Sequence, residues 1–517
     1  MTASARNPVT VHGPDPAAPG PRRARLAGGA AWVPLIPALV ALADGLYQIQ
    51  RPSLWRDEGA TLAAIHRSLP QLVRMLGHQD VVHGAYYVFM WLETRVAGTS
   101  ALALRFPSAV GMAVAAALTA TLGRRLVSSW AGLAAGLVFA VLPSVTWYAQ
   151  NARSYALVTT LAATASYLLV RAMEAPPGRR RGWLTGYGAA LAAMGLGNIF
   201  ALLLIPAHAL TLALSLALRA RRDPPAEAGA APVPALAGGG PLVRGWLAAA
   251  AAAVLVASPV IAVSVGQQSQ VSWIPPLGRA LFASLLKLFD PPELAVGLLV
   301  VTLATLAFSA LRGRLRTDFP SRLLALALPW LLLPPAVLLT ASAVHPVFSA
   351  RYVLICLPAA ALLAGTGLAS LGRAGAAAGL IIIVLLALPG QISDRKVNSH
   401  SRNLRELSHL VAAHSRPGDA LLFPHLNDHG FEAAYPAGYR SLRDVGLGRT
   451  PVQSATLFGT AAPAPVIRRR LTTTTRLWVI ETSSEGGRVP LLTGLGFHEV
   501  HRWTVTGIRL VLYVRPG

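Results

Sequence analysis

Apolar runs of about 20 residues, separated by short arginine clusters, recur along most of this chain, and they leave few folds open to it. A helix needs roughly 20 apolar residues to cross a hydrocarbon core of about 30 Å. Runs of that kind lie near 28–50, 104–123, 128–146, 155–173, 245–265, 294–311, 322–343, 352–370 and 375–391, and the block 183–218 is long enough for two, turning near Asn198. The fold class expected is therefore a polytopic α-helical membrane protein of about eleven transmembrane helices. Only 13% of the residues are charged, about half of what soluble proteins carry, and the mean hydropathy is +0.52.

The formal net charge of +24 would suit a nucleic-acid binder, but the arginines are placed differently. They fall between apolar runs: Arg22, Arg23 and Arg25; Arg124 and Arg125; Arg171 with Arg179, Arg180 and Arg181; Arg219, Arg221 and Arg222; Arg312, Arg314 and Arg316; Arg373. That pattern is what positive-inside sorting leaves, with attraction to anionic lipid as a second contribution. It orients the chain with its N-terminus in the cytoplasm, residues 1–27 a disordered tail, and the C-terminus outside a plasma membrane. Among the arginines left on the outer side, Arg56, Arg153 and Arg351 break the rule and need another reason. Cys356 is the only cysteine, so no intrachain disulfide can form.

Two regions depart from the pattern of clean spans. The first outer loop, 51–103, holds two amphipathic stretches, 58–77 and 86–96, expected as helices at the membrane interface. Residues 395–517 alternate in strand fashion at 419–423, 476–481, 499–506 and 508–514, after an amphipathic helix at 402–414. They are expected as a small extracytoplasmic α/β domain. The loop 220–243 is rich in Pro, Ala and Gly and reads as disordered. The loop 266–292 carries Gln267, Gln268, Gln270, Trp273, Lys287 and Asp290.

Ionisable groups at membrane depth are costly and are usually paired or functional. The outer loops collect them in three places: Asp57, Glu58, His78, Asp80 and His83; Arg153 and Tyr155 with Gln150 and Asn151; His345, Arg351 and Tyr352. A carboxylate can take a proton from an acceptor hydroxyl, and guanidinium groups bind phosphate bidentately. The set points to a phosphorylated, lipid-soluble donor and an acceptor hydroxyl. Blander readings stand beside it. Asp57 could cap the helix that follows, and Glu58 could gain only from the helix dipole. Arg153 could reach toward head groups. His78, Asp80 and His83 could ligate a divalent metal with Asp57 or Glu58. Asp44, inside the first run, reads as a buried polar contact.

Several stretches resemble a known family. Leu54-Trp55-Arg56-Asp57-Glu58 resembles the Asp-Glu pair that follows the first span in GT-C glycosyltransferases. His78-Gln79-Asp80-Val81-Val82-His83-Gly84-Ala85-Tyr86-Tyr87 resembles the His-Pro-Pro-Leu-Tyr-Tyr stretch of the protein O-mannosyltransferase and lipid A aminoarabinose transferase branch, without its Pro-Pro-Leu. Leu104-Arg105-Phe106-Pro107-Ser108, Gln150-Asn151-Ala152-Arg153-Ser154-Tyr155 and Phe348-Ser349-Ala350-Arg351-Tyr352 resemble three later motifs of that branch, in order. The resemblance covers about 30–390 and includes actinobacterial mannosyltransferases. It implies a GT-C-like transmembrane domain over 28–392 and an inverting sugar transfer from a polyprenyl-phosphate donor, mannose being the first expectation. The acceptor would be a glycan, lipid or protein on the outer face. Asp57, with Glu58 beside it, would be the catalytic carboxylate. Arg153 and Arg351, oriented by Tyr155 and Tyr352, would hold the lipid phosphate. His78, Asp80 and His83 would serve acceptor or metal. Membrane lipid is the surrounding partner and nucleic acid is not one. A transporter or flippase, and a non-catalytic envelope-assembly protein, are the rival classes.

Overall fold

The computed structural model describes residues 31–221, 239–271, 273–276, 278, 287–289, 291–311, 318–482 and 489–516. The tail 1–27, most of the loop 220–243, and Asp290 lie outside them. Helices occupy the place of every expected apolar run. They are α1 (Trp32–Leu46), α5 (Ala101–Leu126), α6 (Ser129–Val141) with α7 (Pro143–Ala149), α8 (Tyr155–Glu174), α9 (Pro177–Gly197), α10 (Leu204–Ala220) and α11 (Gly240–Val265), then Pro292–Leu311, Asp318–Ser342, Leu357–Ser370 and Gly372–Asp394. Among the described residues, six helices are long and apolar enough to cross a membrane, or seven if α6 and α7 count as one bent span. The chain is a multi-pass membrane protein. The α1 run is only 15 residues long, and α9 uses its first turns on Arg179, Arg180 and Arg181.

Small residues set how closely these helices approach, as expected where lipid removes the usual hydrophobic drive between them. A Cβ on Gly123 would lie 2.8 Å from the Cα of Gly132, and one on Gly365 would lie 2.2 Å from the backbone nitrogen of Ala135. The α6–α7 break is bent by 62°. Pro143 at the start of α7 has no N–H to continue the ladder. That bend delivers the chain to 150–154. At the other end of the bundle the termini of α5, α8 and α10 gather. Arg125 pairs with Glu174 at 2.6 Å, and Arg219 donates to the Met173 carbonyl at 3.0 Å.

The stretch expected as one amphipathic helix over 58–77 is two, α2 (Arg56–Ile65) and α3 (Leu69–Leu76). The break falls where Ser68 and Gln71 form a capping box and Pro70 enters the first turn of α3. α4 (Gly84–Ala97) follows.

The last hundred residues form a five-stranded mixed sheet, in the order β2 (Arg443–Asp444), β1 (Ala420–Leu422), β3 (Arg476–Glu481), β5 (Ile508–Val514), β4 (His498–Val505). Strand alternation sorts its side chains onto two faces. Leu477, Val479, Val511 and Tyr513 pack with Ile467 and Leu471. Trp478, Ile480, Leu510 and Leu512 pack into one core with Ile65, Leu72, Tyr86 and Met90 of α2, α3 and α4. The sheet and the 51–103 helices thus share a hydrophobic centre.

This layer also grips the stretch that begins α2. Ser53 N donates to the Val397 carbonyl at 2.9 Å, and Leu54 N donates to the Tyr435 hydroxyl at 2.8 Å. α2 lies against the helix His429–Ala434 with no room for a side chain between. A Cβ on Gly59 would sit 2.1 Å from the Gly430 carbonyl oxygen.

Candidate active site around Asp57

α2 starts with Trp55 as its N-cap, so Asp57 is not the capping residue. The back-bond of the first turn comes instead from Glu58, whose Oε2 accepts from Trp55 N at 3.3 Å. Two consecutive carboxylates on a helix point about 100° apart, and the two here meet different surroundings.

Glu58 faces inward and has no solvent exposure. Arg105 of α5 grips it bidentately, Nε to Oε1 and Nη2 to Oε2, both at 2.7 Å. The remaining Arg105 donors go to the carbonyls of Ile49, Pro52 and Ser53. Ala152 N also donates to Glu58 Oε1, at 3.0 Å. Burial alone would raise the Glu58 pKa, but the charge and hydrogen bonds of Arg105 and the Ala152 N–H outweigh it and hold the group ionised. A carboxylate so enclosed has no lone pair left to meet a substrate. The catalytic place expected for Glu58 is therefore corrected to that of an anchor. It ties α2 to α5 and to the 150–154 loop.

Asp57 keeps 14% of its side chain exposed and holds a single close partner, Arg351 Nη1 at 3.1 Å, with Arg56 Nε at 3.7 Å. Burial pushes its pKa up, and Arg153, Arg351 and Arg56 push it down further, so the carboxylate sits below its ordinary value. Arg153, brought round by the α7–α8 turn, donates from Nη1 to the Asp57 carbonyl at 3.4 Å and to the Tyr87 hydroxyl at 3.0 Å. Its Nε is buried and has no hydrogen-bond partner. Tyr87 in turn donates to Asp80. Arg351 lies 4.4 Å from the Trp273 ring centre and 5.7 Å from that of Tyr155. Arg351 thus meets the Asp57 carboxylate, while Arg153 meets the main-chain carbonyl of the same residue.

The other expected residues divide. Asp80 and His83 belong to the cluster, Asp80 Oδ1 lying 4.0 Å from His83 Nε2. Burial raises the Asp80 pKa against the pull of Arg153 and Tyr87, and burial together with Arg153 and Arg351 lowers that of His83, which favours neutral imidazole. Tyr155 supports Arg351 with its ring and meets His83 edge-on at 6.1 Å. Tyr352 stacks on Phe200 at 4.7 Å and lines a neighbouring cavity of ≈ 270 Å³ with His83 and His345. His78 is not part of the cluster. It is exposed and hydrogen-bonds the Arg74 carbonyl at the end of its own helix, at 2.9 Å. Among the described residues no three His, Cys, Asp or Glu side chains are gathered to hold a metal ion.

Four contributors carry no assigned role in the sequence reading. Arg105 lies inside an apolar run, a position that by itself calls for a buried acidic partner. Tyr87 carries the link from Arg153 to Asp80. Gln267 and Gln270 hold the turn at Asp80, where the backbone is left-handed at φ 62°. Gln270 Oε1 accepts from Asp80 N at 3.1 Å and Gln267 Oε1 from Val81 N at 3.0 Å. Asp44, inside the first apolar run, pairs with Arg395 at 2.6 Å, outside this cluster.

Arg351 and Tyr155 open onto a cavity of ≈ 570 Å³, walled also by Trp55, Trp147, Asn151 and Ser399. Its size fits a small ligand.

Known proteins place this architecture. The family described as dolichyl-phosphate-mannose-protein mannosyltransferase matches residues 85–226, which include Tyr87, Arg105, Arg153 and Tyr155. No curated protein matches the sequence significantly. The crystal structure of ArnT from Cupriavidus metallidurans in the apo state aligns with a TM-score of 0.59 at 13% identity, covering 93% of this chain and 97% of that one. The chain has the GT-C fold. The same ArnT bound to undecaprenyl phosphate aligns at 0.58 and 13% identity, over 94% of this chain and 98% of that one. The alignment takes in nearly the full length of both chains, so the GT-C likeness includes the C-terminal sheet as well as the helices.

Proposed function

We propose that this protein is an integral membrane glycosyltransferase that moves a sugar from a polyprenyl-phosphate donor to a hydroxyl on the outer face of the plasma membrane. The observation that carries the reading is the Asp57 carboxylate held against Arg351, which lines a cavity of ≈ 570 Å³, with Arg153 bonded to the Asp57 main-chain carbonyl. The shared fold with a protein crystallised with undecaprenyl phosphate supports the lipid carrier. Mannose is the sugar we put first, since the matching family is described by dolichyl-phosphate mannose.

In this reading the donor phosphate lies between Arg351 and Arg153, using the unpartnered Arg153 Nε. Arriving there, it takes the Arg351 contact from Asp57. The carboxylate then loses the charge that keeps its pKa low and becomes a better base for the incoming hydroxyl. The hydroxyl oxygen bonds to the anomeric carbon from the face opposite the phosphate, with inversion. The carbon–oxygen bond to phosphate breaks, and the acceptor proton goes to Asp57. The departing polyprenyl phosphate gains negative charge, which the two guanidinium groups stabilise without reorganising. No second carboxylate is needed as a strong acid, because phosphate is already a good leaving group, and Glu58 is therefore free to be structural. Asp80, His83 and Tyr87 would orient Arg153 and the acceptor. The arginine-rich helix ends would face the cytoplasm and the sheet of residues 420–514 the outside.

The test is transfer by purified protein from labelled polyprenyl-phosphate sugars to membrane acceptors, wild type beside Asp57→Asn. Turnover in the variant should fall by about 10² to 10⁴-fold, with donor still bound. Equal turnover in the two proteins would remove Asp57 from the chemistry.

A further inference from the structure

The ≈ 570 Å³ cavity has a second wall that phosphate binding and proton transfer leave unused. Trp55, Trp147 and Tyr148 line it with aromatic rings, and Asn151 lies among them. The Asn151 backbone is fixed, its carbonyl accepting from Ser108 Oγ at 2.7 Å and from Arg153 N at 2.9 Å. Its side-chain amide is the exception. Asn151 is 1% exposed, yet neither Oδ1 nor Nδ2 has a hydrogen-bond partner. Leaving both ends of a buried amide unsatisfied is expensive, and a fold keeps such a group where something bound completes it.

The neighbouring rings are held in place. His400, from the crossing between the last membrane helix and the sheet, stacks on Trp55 at 4.8 Å with planes 2° apart, and packs against Trp147 at 4.2 Å. Trp55 Nε1 and the Ser399 hydroxyl, both on the cavity residues, are likewise buried and unpartnered. Flat apolar faces beside a few unpaired donors and acceptors match one ligand chemistry in particular. A sugar ring presents C–H faces to aromatic rings and vicinal hydroxyls to an amide that offers two donors and an acceptor.

We propose that Trp55, Trp147 and Asn151 form a sugar-ring subsite, and that Asn151 is the residue that reads the ring hydroxyls. The inference rests on the transferase reading above, and it gives the segment carrying Ser399 and His400 a part in sugar choice. The ring could belong to the donor or to a glycan acceptor; the chemistry is shared, and the arms of the test separate the two.

The test is equilibrium binding to the full-length protein in nanodiscs, wild type beside Asn151→Ala. The probes are sugar-free undecaprenyl phosphate, undecaprenyl-phosphate mannose and arabinose, and methyl mannoside and methyl arabinoside. Wild type should bind at least one sugar-bearing probe with an affinity that depends on the sugar. Asn151→Ala should weaken that probe by tenfold or more and leave sugar-free undecaprenyl phosphate within about twofold. Loss confined to the lipid-linked sugars assigns the ring to the donor, and loss on the methyl glycosides assigns it to the acceptor. Trp147→Leu, which removes a ring face without touching the amide, should show the same selectivity should Asn151→Ala not fold. No gain from sugar over bare undecaprenyl phosphate in wild type, or equal losses on all probes in the variant that folds, overturns the proposal. Because the readout is binding, a failure of Asp57→Asn to lose turnover sinks the transferase reading separately.

Discussion

Two arginine–carboxylate pairs begin one turn of helix, and they are built for opposite ends. Arg105–Glu58 has no exposure on either side chain and is joined bidentately at 2.7 Å. Arg351–Asp57 is 20% and 14% exposed and joined through one nitrogen at 3.1 Å. The first pair has every polar atom committed to the fold. The second keeps lone pairs and N–H groups that a ligand can claim. Under the proposed function, adjacent residues in the same motif would serve stability and chemistry separately, and the difference lies in what surrounds each rather than in the side chain.

Arg105→Ala should break the comparison at its stable end. It leaves a buried carboxylate without its counter-charge, which costs about 3–5 kcal/mol. Against a total stability of roughly 5–15 kcal/mol, the expected result is loss of monodisperse protein or a steep drop in thermal midpoint in detergent. Arg351→Ala should do the reverse, lowering kcat/KM for the donor by about 10² to 10³-fold while the thermal midpoint stays near wild type. A variant that loses both in equal measure would erase the distinction. Gly59→Ala tests whether the C-terminal layer seats α2. Its Cβ would meet the Gly430 carbonyl at 2.1 Å, so the two elements must part. A cost of about 1–3 kcal/mol is expected, read by chemical denaturation, along with reduced turnover because Asp57 is two residues away.

The smallest effect is in pH. Both carboxylates are held below their ordinary values in the folded protein. For Glu58 the stability this provides is fully present above its unfolded pKa of about 4.3 and is lost as pH falls through the folded value. Wild type should thus lose thermal stability on acidification through that window, and Glu58→Gln should lose less. For Asp57 in the free enzyme, kcat/KM should stay level down to about pH 5 and fall only below the ordinary aspartate pKa of about 3.9. A kcat/KM inflection near pH 6 would mean that another group controls the reaction.

Much of the outline was legible in the chain. The apolar runs and their arginine punctuation place helices where helices stand, because a lipid-facing helix has to declare itself over some 20 residues. The three motif loops could be read as one site because alternating spans bring every second loop to the same end. The rest depended on which way side chains turn. The sequence sets Asp57 and Glu58 side by side, and only the approach of α5 through Arg105 encloses Glu58. His78 lies five residues from His83 and looks like its partner, but it follows directly on the end of α3, and its ring turns back to the Arg74 carbonyl of that helix. Asn151 reads as a spacer between Gln150 and Arg153 until its amide is seen buried and unpaired.

The sequence by itself determined a multi-pass helical protein with acidic and basic groups at the ends of its helices. Hydropathy over a helix length and the sign of flanking charge are local properties that lipid and water read directly. Tertiary structure decided which carboxylate is held and which is available. It also decided that the last hundred residues share a core with the first loop, and that a cavity with an aromatic wall forms where Trp55, Trp147, Arg351 and Ser399 converge. Those outcomes depend on contacts between segments as far apart as Ser53 and Val397, or Asp57 and Arg351. No local pattern encodes such pairings, because they arise only when packing brings distant surfaces to the same few ångströms.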